Sequence, residues 1–584
     1  MSTIMVSKKI LFTSNRSIVI ISLILIIAFH LLHNCLWWQN DNVPRGGDAP
    51  NHVLFQRQFF QAVTSVLDNQ SLTLFSKMSL IAKIFNGKTY SEVPYYIYWP
   101  RFISLTSSFF TCAIDDTFSV LRLSIFPYFI LLIVATYLFG KALQSVWMGL
   151  SSAALVSLYP IMFESSRQYG LDLPLTAFFM LTLYLLLKSR GFKHRFYSVA
   201  FGIAAGTGAL IKGQIGPFII FPFIYMLGIL TKKIAYASRR HKGFSGIRRL
   251  TNLSLMLYFA CLAGSLWWGN KIREAARVLP QHFINDKKVA MESFCSAPKF
   301  SWGYLTWDFL QIFHKAVCPY LTACFLVALC YFLVRKGMRN KAFVIASFVG
   351  PFLLFSIFCA AKDERFLMPV LPLMAVVTMS SCHAVNSRRT RYLLLFLVFA
   401  VAIFQFYVIS FYDGCITCCN VNKKVFGITQ YGGSPLMKPR GYDKEIADLI
   451  DKGSDEGEDL KIGYISLVKE EVGPCYHVLY YNLLPMHLKI RLIPLRWEAD
   501  IFLTCINDFD FILFFDEREH YEWPDKHFRE DFIVAANEAR YIANFSSDEA
   551  VDKLISGKEK FDLIKMLKYP DLRYYCFVYK NKDR

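Results

Sequence analysis

Charged residues are scarce in this chain: Asp, Glu, Lys and Arg make up 18% of its 584 residues, below the roughly 25% of soluble domains. That argues against a wholly soluble globular protein. The sequence has no GxxxxGK[ST] loop and no internal repeat, which excludes the P-loop enzymes and the solenoids. No small-residue cleavage site follows the first apolar run, so that run is not read as a removed signal. The cysteines are scattered, and several (Cys261, Cys324, Cys330, Cys359) lie inside apolar runs, where they read as packing residues. Cys415, Cys418 and Cys419 cluster more tightly, but no second CxxC completes a zinc site. Free thiols and an exported-side disulfide both remain readings of that cluster.

What the chain has instead is apolar and aromatic. It is 54% hydrophobic and 16% aromatic, with 54 Phe and 31 Tyr, and its mean hydropathy is +0.35. A helix needs about 20 apolar residues to cross the bilayer core. About eleven runs qualify: Ser17 to Trp38, then roughly 122–140, 146–163, 173–188, 197–211, 215–230, 252–269, 316–334, 342–361, 366–384 and 392–411. These predict an α-helical polytopic membrane protein of about eleven transmembrane helices.

The net charge of +20 would point to nucleic acid in a soluble protein. Here the cations fall between apolar runs, so they report topology and no nucleic-acid partner is expected. Lys8, Lys9 and Arg16 precede the first run. Basic loops follow around Lys188–Arg195, Lys232–Arg249, Arg335–Lys341 and Arg388–Arg391. With eleven spans, all of them share the side of the N-terminus, which the positive-inside rule makes cytoplasmic. The expected organisation is a cytoplasmic N-terminus (1–16), a multi-pass membrane domain (17–411) and an exported soluble α/β domain (412–584). Exported loops are expected at 39–121 and 270–315, with short outer turns near 164–172 and 212–214. In the last part, Lys461–Leu467 and Phe509–Phe515 read as strands and Asp531–Ile542 as a helix.

Ionisable residues at membrane depth are costly and usually functional. Four fall on the outer face. Asp48 follows Gly46-Gly47, which permits a tight turn; a solvated loop Asp is its plain alternative. Glu92 stands in the aromatic run Tyr90–Pro100, a sugar-stacking wall or a simple interfacial belt. Asp172 precedes Pro174 at a helix start, where it would otherwise serve as a cap. Lys212 lies between two spans, where snorkelling is the alternative, yet it sits on the side where cations are rare.

Their order resembles a known family. Asp48, Glu92-Val-Pro94 before Tyr98-Trp99, Arg122 at a span start, and Tyr169-Gly-Leu-Asp172-Leu-Pro174 appear in sequence. Lys212-Gly213-Gln-Ile-Gly216, Trp267-Trp268, His282-Phe283 and Lys362-Asp-Glu-Arg365-Phe366-Leu-Met-Pro369 follow. Over residues 17–385 the set resembles the GT-C glycosyltransferases, in the branch of protein O-mannosyltransferases and lipid A aminoarabinose transferases. The first motif departs as Asp-Ala, Asn51 follows it, Gln214 replaces a proline, and Phe366 replaces a tyrosine. The resemblance implies a polyprenyl-phosphate sugar as donor, a lipid, glycan or protein acceptor, and inverting transfer at the non-cytoplasmic face. It implies Asp48 as general base, with Asp172 positioning the acceptor or sharing that role. Lys212, with Arg122 and Arg365, would hold the donor phosphate, and Glu92 and His282 a divalent metal ion. A bacterial inner (plasma) membrane is favoured over the endoplasmic reticulum. A secondary transporter and a related oligosaccharide ligase or polymerase stay open as alternatives.

Overall fold

The computed structural model describes residues 2–39, 49–85, 101–114, 118–239, 243–284, 301–312, 316–336, 340–359, 364–411 and 450, together with five C-terminal strands. Its contacts divide the chain into two units, Met1–Gln39 with Phe55–Leu436, and Asn40–Leu54 with Met437–Arg584.

The first unit is helical. In order it holds α1 (Ser2–Gln39), α2 (Ala49–Asp68, from Phe55 onward), α3 (Leu74–Phe85), α4 (Phe102–Ala113), α5 (Phe118–Leu143), α6 (Val146–Ser157) and α7 (Pro160–Ser165). Then come α8 (Asp172–Ser189), α9 (Arg195–Ala209), α10 (Ile215–Arg239), α11 (Gly243–Ile284), α12 (Trp302–Gln311), α13 (Pro319–Val334) and α14 (Lys341–Phe358). A 3-10 turn (Glu364–Val370) leads into α15 (Leu371–Ala384), and α16 (Arg388–Phe411) closes the unit.

Among the described residues, eight helices are long and apolar enough to cross a membrane. They coincide with eight of the eleven expected runs. The other three are shorter helices for local reasons. The run at 146–163 is interrupted where Pro160, which has no N–H to give, starts a new helix. The run at 316–334 starts only at Pro319, because Cys318 sits at φ 82°. The run at 197–211 ends at Ala209 in a turn around Lys212. The loop expected at 39–121 is itself largely helical: Phe59 and Val66 of α2 and Ile84 of α3 form a small core with Leu105 of α4 against it.

Burial separates the inner helices from the lipid-facing ones. The segment Arg365–Ala384, the 3-10 turn with α15, is almost wholly buried, whereas most of α1 is not. Ile20, Ile21, Ile24 and Leu25 of α1 are exposed, as a lipid-facing surface should be. Inner helices meet through small residues. At Gly149 of α6 an added Cβ would lie 2.5 Å from the Tyr137 carbonyl oxygen of α5, so only glycine allows these backbones to touch. Ser145 caps α6 by accepting from the Met148 N–H at 3.2 Å.

In the second unit the described strands are β1 (Asp459–Ser466), β2 (Lys489–Pro494), β3 (Phe511–Asp516), β4 (Phe561–Lys568) and β5 (Tyr575–Asn581). They form one mixed sheet ordered β2-β1-β3-β5-β4. β1 runs parallel to β2 and β3, while β5 is antiparallel to β3 and β4. β1 and β3 occupy the two runs expected to be strands. The helix expected at 531–542 lies outside the described residues.

Candidate functional site

Two helix ends, the start of α8 and the end of α9, meet at one end of the helical unit. α8 begins at Asp172 after Leu171, and no side chain caps it. The cap reading of Asp172 is therefore replaced: the residue stands in the first helical turn. There a carboxylate is favoured by the helix dipole. α9 ends at Ala209 in a turn in which Lys212 N–H donates to the Gly208 carbonyl at 3.0 Å and Ile215 N–H to the Lys212 carbonyl at 3.2 Å. The Lys212 ammonium donates to Asp172 Oδ1 at 2.8 Å, with the two side chains 14% and 15% exposed. A charge-assisted bond of this length in a mostly dry setting fixes both groups.

Other motif residues close around the pair. The Lys212 Nζ lies 5.2 Å from the centre of the Phe366 ring, within cation–π range. Arg365, half-buried, is the next residue back. The Trp268 indole N–H donates to the Ala209 carbonyl at 2.8 Å. Its ring also covers Gly213, where an added Cβ would fall 2.8 Å from Trp268 Cζ2. Motifs widely separated in sequence thus converge on Asp172, Lys212-Gly213, Trp268 and Arg365-Phe366.

Arg122 is fully buried on α5, with its guanidinium 5.6 Å from the Trp37 ring centre. The same ring is 5.5 Å from Arg167, which sequence reasoning left out. Arg167 precedes Asp172 by five residues and is buried. Its Nε donates to Asn34 at 3.1 Å and its Nη2 to Ser410 at 2.9 Å. The Trp38 indole N–H donates to the Arg167 carbonyl at 3.2 Å, and Asn34 Nδ2 donates to Ser166 at 2.9 Å. The turn that delivers Asp172 is therefore bolted to α1 and α16. Neighbouring Tyr169 is buried too, and burial pushes its phenol above the ordinary range. The signal that raised Lys212, a cation on the side where cations are rare, would also have found Arg167.

Asp48 and Glu92 lie outside the described residues, and so does the side chain of His282 on α11. Among the described residues no three His, Cys, Asp or Glu side chains gather into a metal-holding group.

The model of the dolichyl-phosphate-mannose-protein mannosyltransferase family matches residues 100–239, a stretch that contains Arg122, Asp172 and Lys212. Over 95% of this chain and 97% of the other, the fold is similar to that of ArnT from Cupriavidus metallidurans bound to undecaprenyl phosphate, with a TM-score of 0.52 and 13% identity. The archaeal oligosaccharyltransferase AglB from Archaeoglobus fulgidus, in complex with an inhibitory peptide and a dolichol-phosphate, aligns with a TM-score of 0.48 and 13% identity, over 86% of this chain and 69% of that one. No curated protein matches the chain. The protein is a multi-pass membrane protein with a GT-C-like fold, and the resemblance drawn from its motifs holds.

Proposed function

We propose that this protein is a glycosyltransferase that moves a sugar from a polyprenyl-phosphate carrier to a lipid, glycan or protein acceptor at the non-cytoplasmic face of a bacterial inner membrane. The observation that carries the reading is the Asp172–Lys212 pair, 2.8 Å apart, set where the family-matched segment and the later motifs converge. Eleven crossings are part of the proposal, with residues 1–16 cytoplasmic and 412–584 an exported domain.

The chemistry follows from the charges. The carrier's tail stays in the bilayer and its phosphate rests at the interface. Asp48 takes the proton from the acceptor hydroxyl, which requires hydrogen-bond reach. The acceptor oxygen bonds to the sugar's anomeric carbon as the bond from that carbon to the phosphate oxygen breaks. The electron pair leaves with the phosphate, and attack from the opposite face inverts the anomeric centre. Lys212, with Arg122 and Arg365, answers the charge that grows on the phosphate. Cations placed in advance in a dry site are worth most at that moment. Before the donor arrives, Asp172 holds the ammonium in place over Phe366; afterwards the carboxylate is released to position the acceptor. A divalent ion at Glu92 and His282 would supply Lewis-acid stabilisation of the phosphate.

The test uses the purified full-length chain in detergent, a panel of radiolabelled polyprenyl-phosphate sugars, and crude membrane extract as acceptor. Wild type is expected to transfer label from one donor. Lys212→Met and Asp172→Asn should each lower turnover by about 10²–10³-fold, and Asp48→Asn should abolish it while the protein stays folded. If folded wild type transfers nothing from any donor to a competent extract, the enzyme reading fails and transport becomes the leading one.

A further inference from the structure

At the other ends of α8, α9 and α11 the chain builds a second charged feature, unrelated to the transfer chemistry. Residues Arg190, Gly191 and Phe192 are consecutive and all left-handed, at φ 52°, 65° and 60°. For two non-glycine residues this costs roughly 1–2 kcal/mol each, so the surrounding structure must hold the turn. It does so from several directions. Lys193 N–H and His194 N–H both donate to the Ser189 carbonyl, at 2.8 and 3.2 Å. Arg249 Nη1 donates to the carbonyls of Arg190 at 2.9 Å and Gly191 at 2.6 Å. Buried Asn252 donates to the Phe192 carbonyl at 2.9 Å, and the Phe192 side chain is itself buried.

The consequence is a rigid turn with its cations outward. Arg190, Lys193 and Arg195 are exposed, and so are Arg248 at the start of α11 and Lys232 and Lys233 of α10. α10 is close by: an added Cβ on Gly191 would meet Ile229 at 3.2 Å, one turn before those lysines. Burial together with the nearby charges of Arg190, Lys193, Lys188 and Arg248 holds His194 below the ordinary imidazole value. Residues 173–273, the stretch that carries all of these cations, contain no Asp and no Glu. Aromatic side chains of an interfacial kind stand alongside. Lys188 Nζ is 5.5 Å from the Tyr197 ring centre, and Phe196 and Tyr236 are exposed.

We propose that the Lys188–Arg195 turn, with Lys232, Lys233 and Arg248, is a docking site for the headgroups of anionic phospholipids. A cationic loop that serves only to orient the chain needs no fixed backbone. This one is clamped in an unfavourable conformation, in a stretch of chain that holds no Asp or Glu. Each Lys or Arg near an anionic surface adds attraction, and a turn whose backbone is already fixed has little backbone freedom to lose on meeting a headgroup.

The experiment titrates the purified full-length protein, in neutral detergent, with phosphatidylglycerol, phosphatidylcholine or inorganic phosphate, reading retained lipid by native mass spectrometry and the midpoint of thermal unfolding. Phosphatidylglycerol is expected to be retained and to raise the midpoint, phosphatidylcholine to do neither, and inorganic phosphate at equal concentration to do nothing. The triple variant Lys193→Gln, Arg195→Gln, Arg248→Gln should lose affinity by on the order of 100-fold. The pair Arg388→Gln, Arg389→Gln, at another basic helix end, should keep it. Should the triple variant not fold, wild-type retention must still fall steeply with salt as the charges are screened. Equal retention of both lipids, the same midpoint shift from phosphate alone, an unaffected triple variant, or salt-independent retention would each overturn the proposal.

Discussion

At the residue scale, the candidate site rests on one pair: the Lys212 ammonium donates to Asp172 at 2.8 Å, with the two side chains 14% and 15% exposed. Asp172 and Lys212 stand out in the sequence singly, each with an ordinary alternative. Only the fold reveals that they answer each other. Phe366 looks in the sequence like a tyrosine that lost its hydroxyl; in the structure its ring lies beneath the Lys212 ammonium, a role that needs the ring alone. Arg167, which the sequence reading did not single out, is buried among Phe163, Trp37 and Phe406. Its guanidinium also faces the nearby charge of Glu164, a side chain that is buried as well. Replacing Arg167 by methionine should therefore destabilise the protein by about 3–5 kcal/mol, because a buried carboxylate loses its counterion. Arg167→Lys keeps the charge but not the two-pronged hydrogen bonding to Asn34 and Ser410, so it should fall between the two. Denaturant unfolding in mixed micelles measures both, and an Arg167→Met midpoint equal to wild type would sink the account.

At the element scale, hydropathy located the spans well and their ends poorly. Run length is set by composition, which the sequence displays. Helix ends are set by single residues such as Pro160 and Cys318, whose effect depends on φ. The helices within 39–121 escaped notice because α2 and α3 bury one face against each other and carry no long apolar run. Helix contacts were hidden for a different reason: glycine counts do not say which glycines touch. Gly202 and Gly206 on α9 do. An added Cβ would lie 2.2 Å from the Met256 carbonyl oxygen and 2.6 Å from that of Ala260, respectively, both on α11. Gly202→Ala should then force the helices apart and cost about 1–3 kcal/mol. Gly228→Ala on α10, with nothing within 4 Å of the added carbon, should cost nothing and gain up to about 1 kcal/mol of helix propensity. Thermal unfolding of the two variants side by side distinguishes a packing effect from a general intolerance of substitution at glycine.

At the scale of the whole molecule, the open quantity is the number of crossings, and three contacts constrain it. If only the eight long helices crossed, α9 would not return the chain. Asp172 at the start of α8 and Lys212 after its end would then lie on opposite sides, yet they are 2.8 Å apart. Arg249 at the start of α11 would face away from the Arg190 carbonyl that it reaches at 2.9 Å. Gln144, before α6, would be across the bilayer from Ser380 near the end of α15, although Ser380 donates to it at 2.9 Å. Letting α6 with α7, α9 and α13 cross as well removes all three conflicts. It also puts every basic loop on one side, as the positive-inside rule requires. Fifteen residues of α9 span only about 22 Å as a helix, so its flanking turns and local thinning of the bilayer must supply the rest. The two counts are told apart by alkaline phosphatase fusions, which are active only outside the cytoplasm. With eleven crossings, a fusion after Lys193 is inactive, one after Gly213 is active, and one after Gly414 is active. With eight, the fusion after Lys193 becomes active and the one after Gly414 inactive. That second pattern would strip the C-terminal unit of its exported position and, with it, any part in a reaction on the outer face.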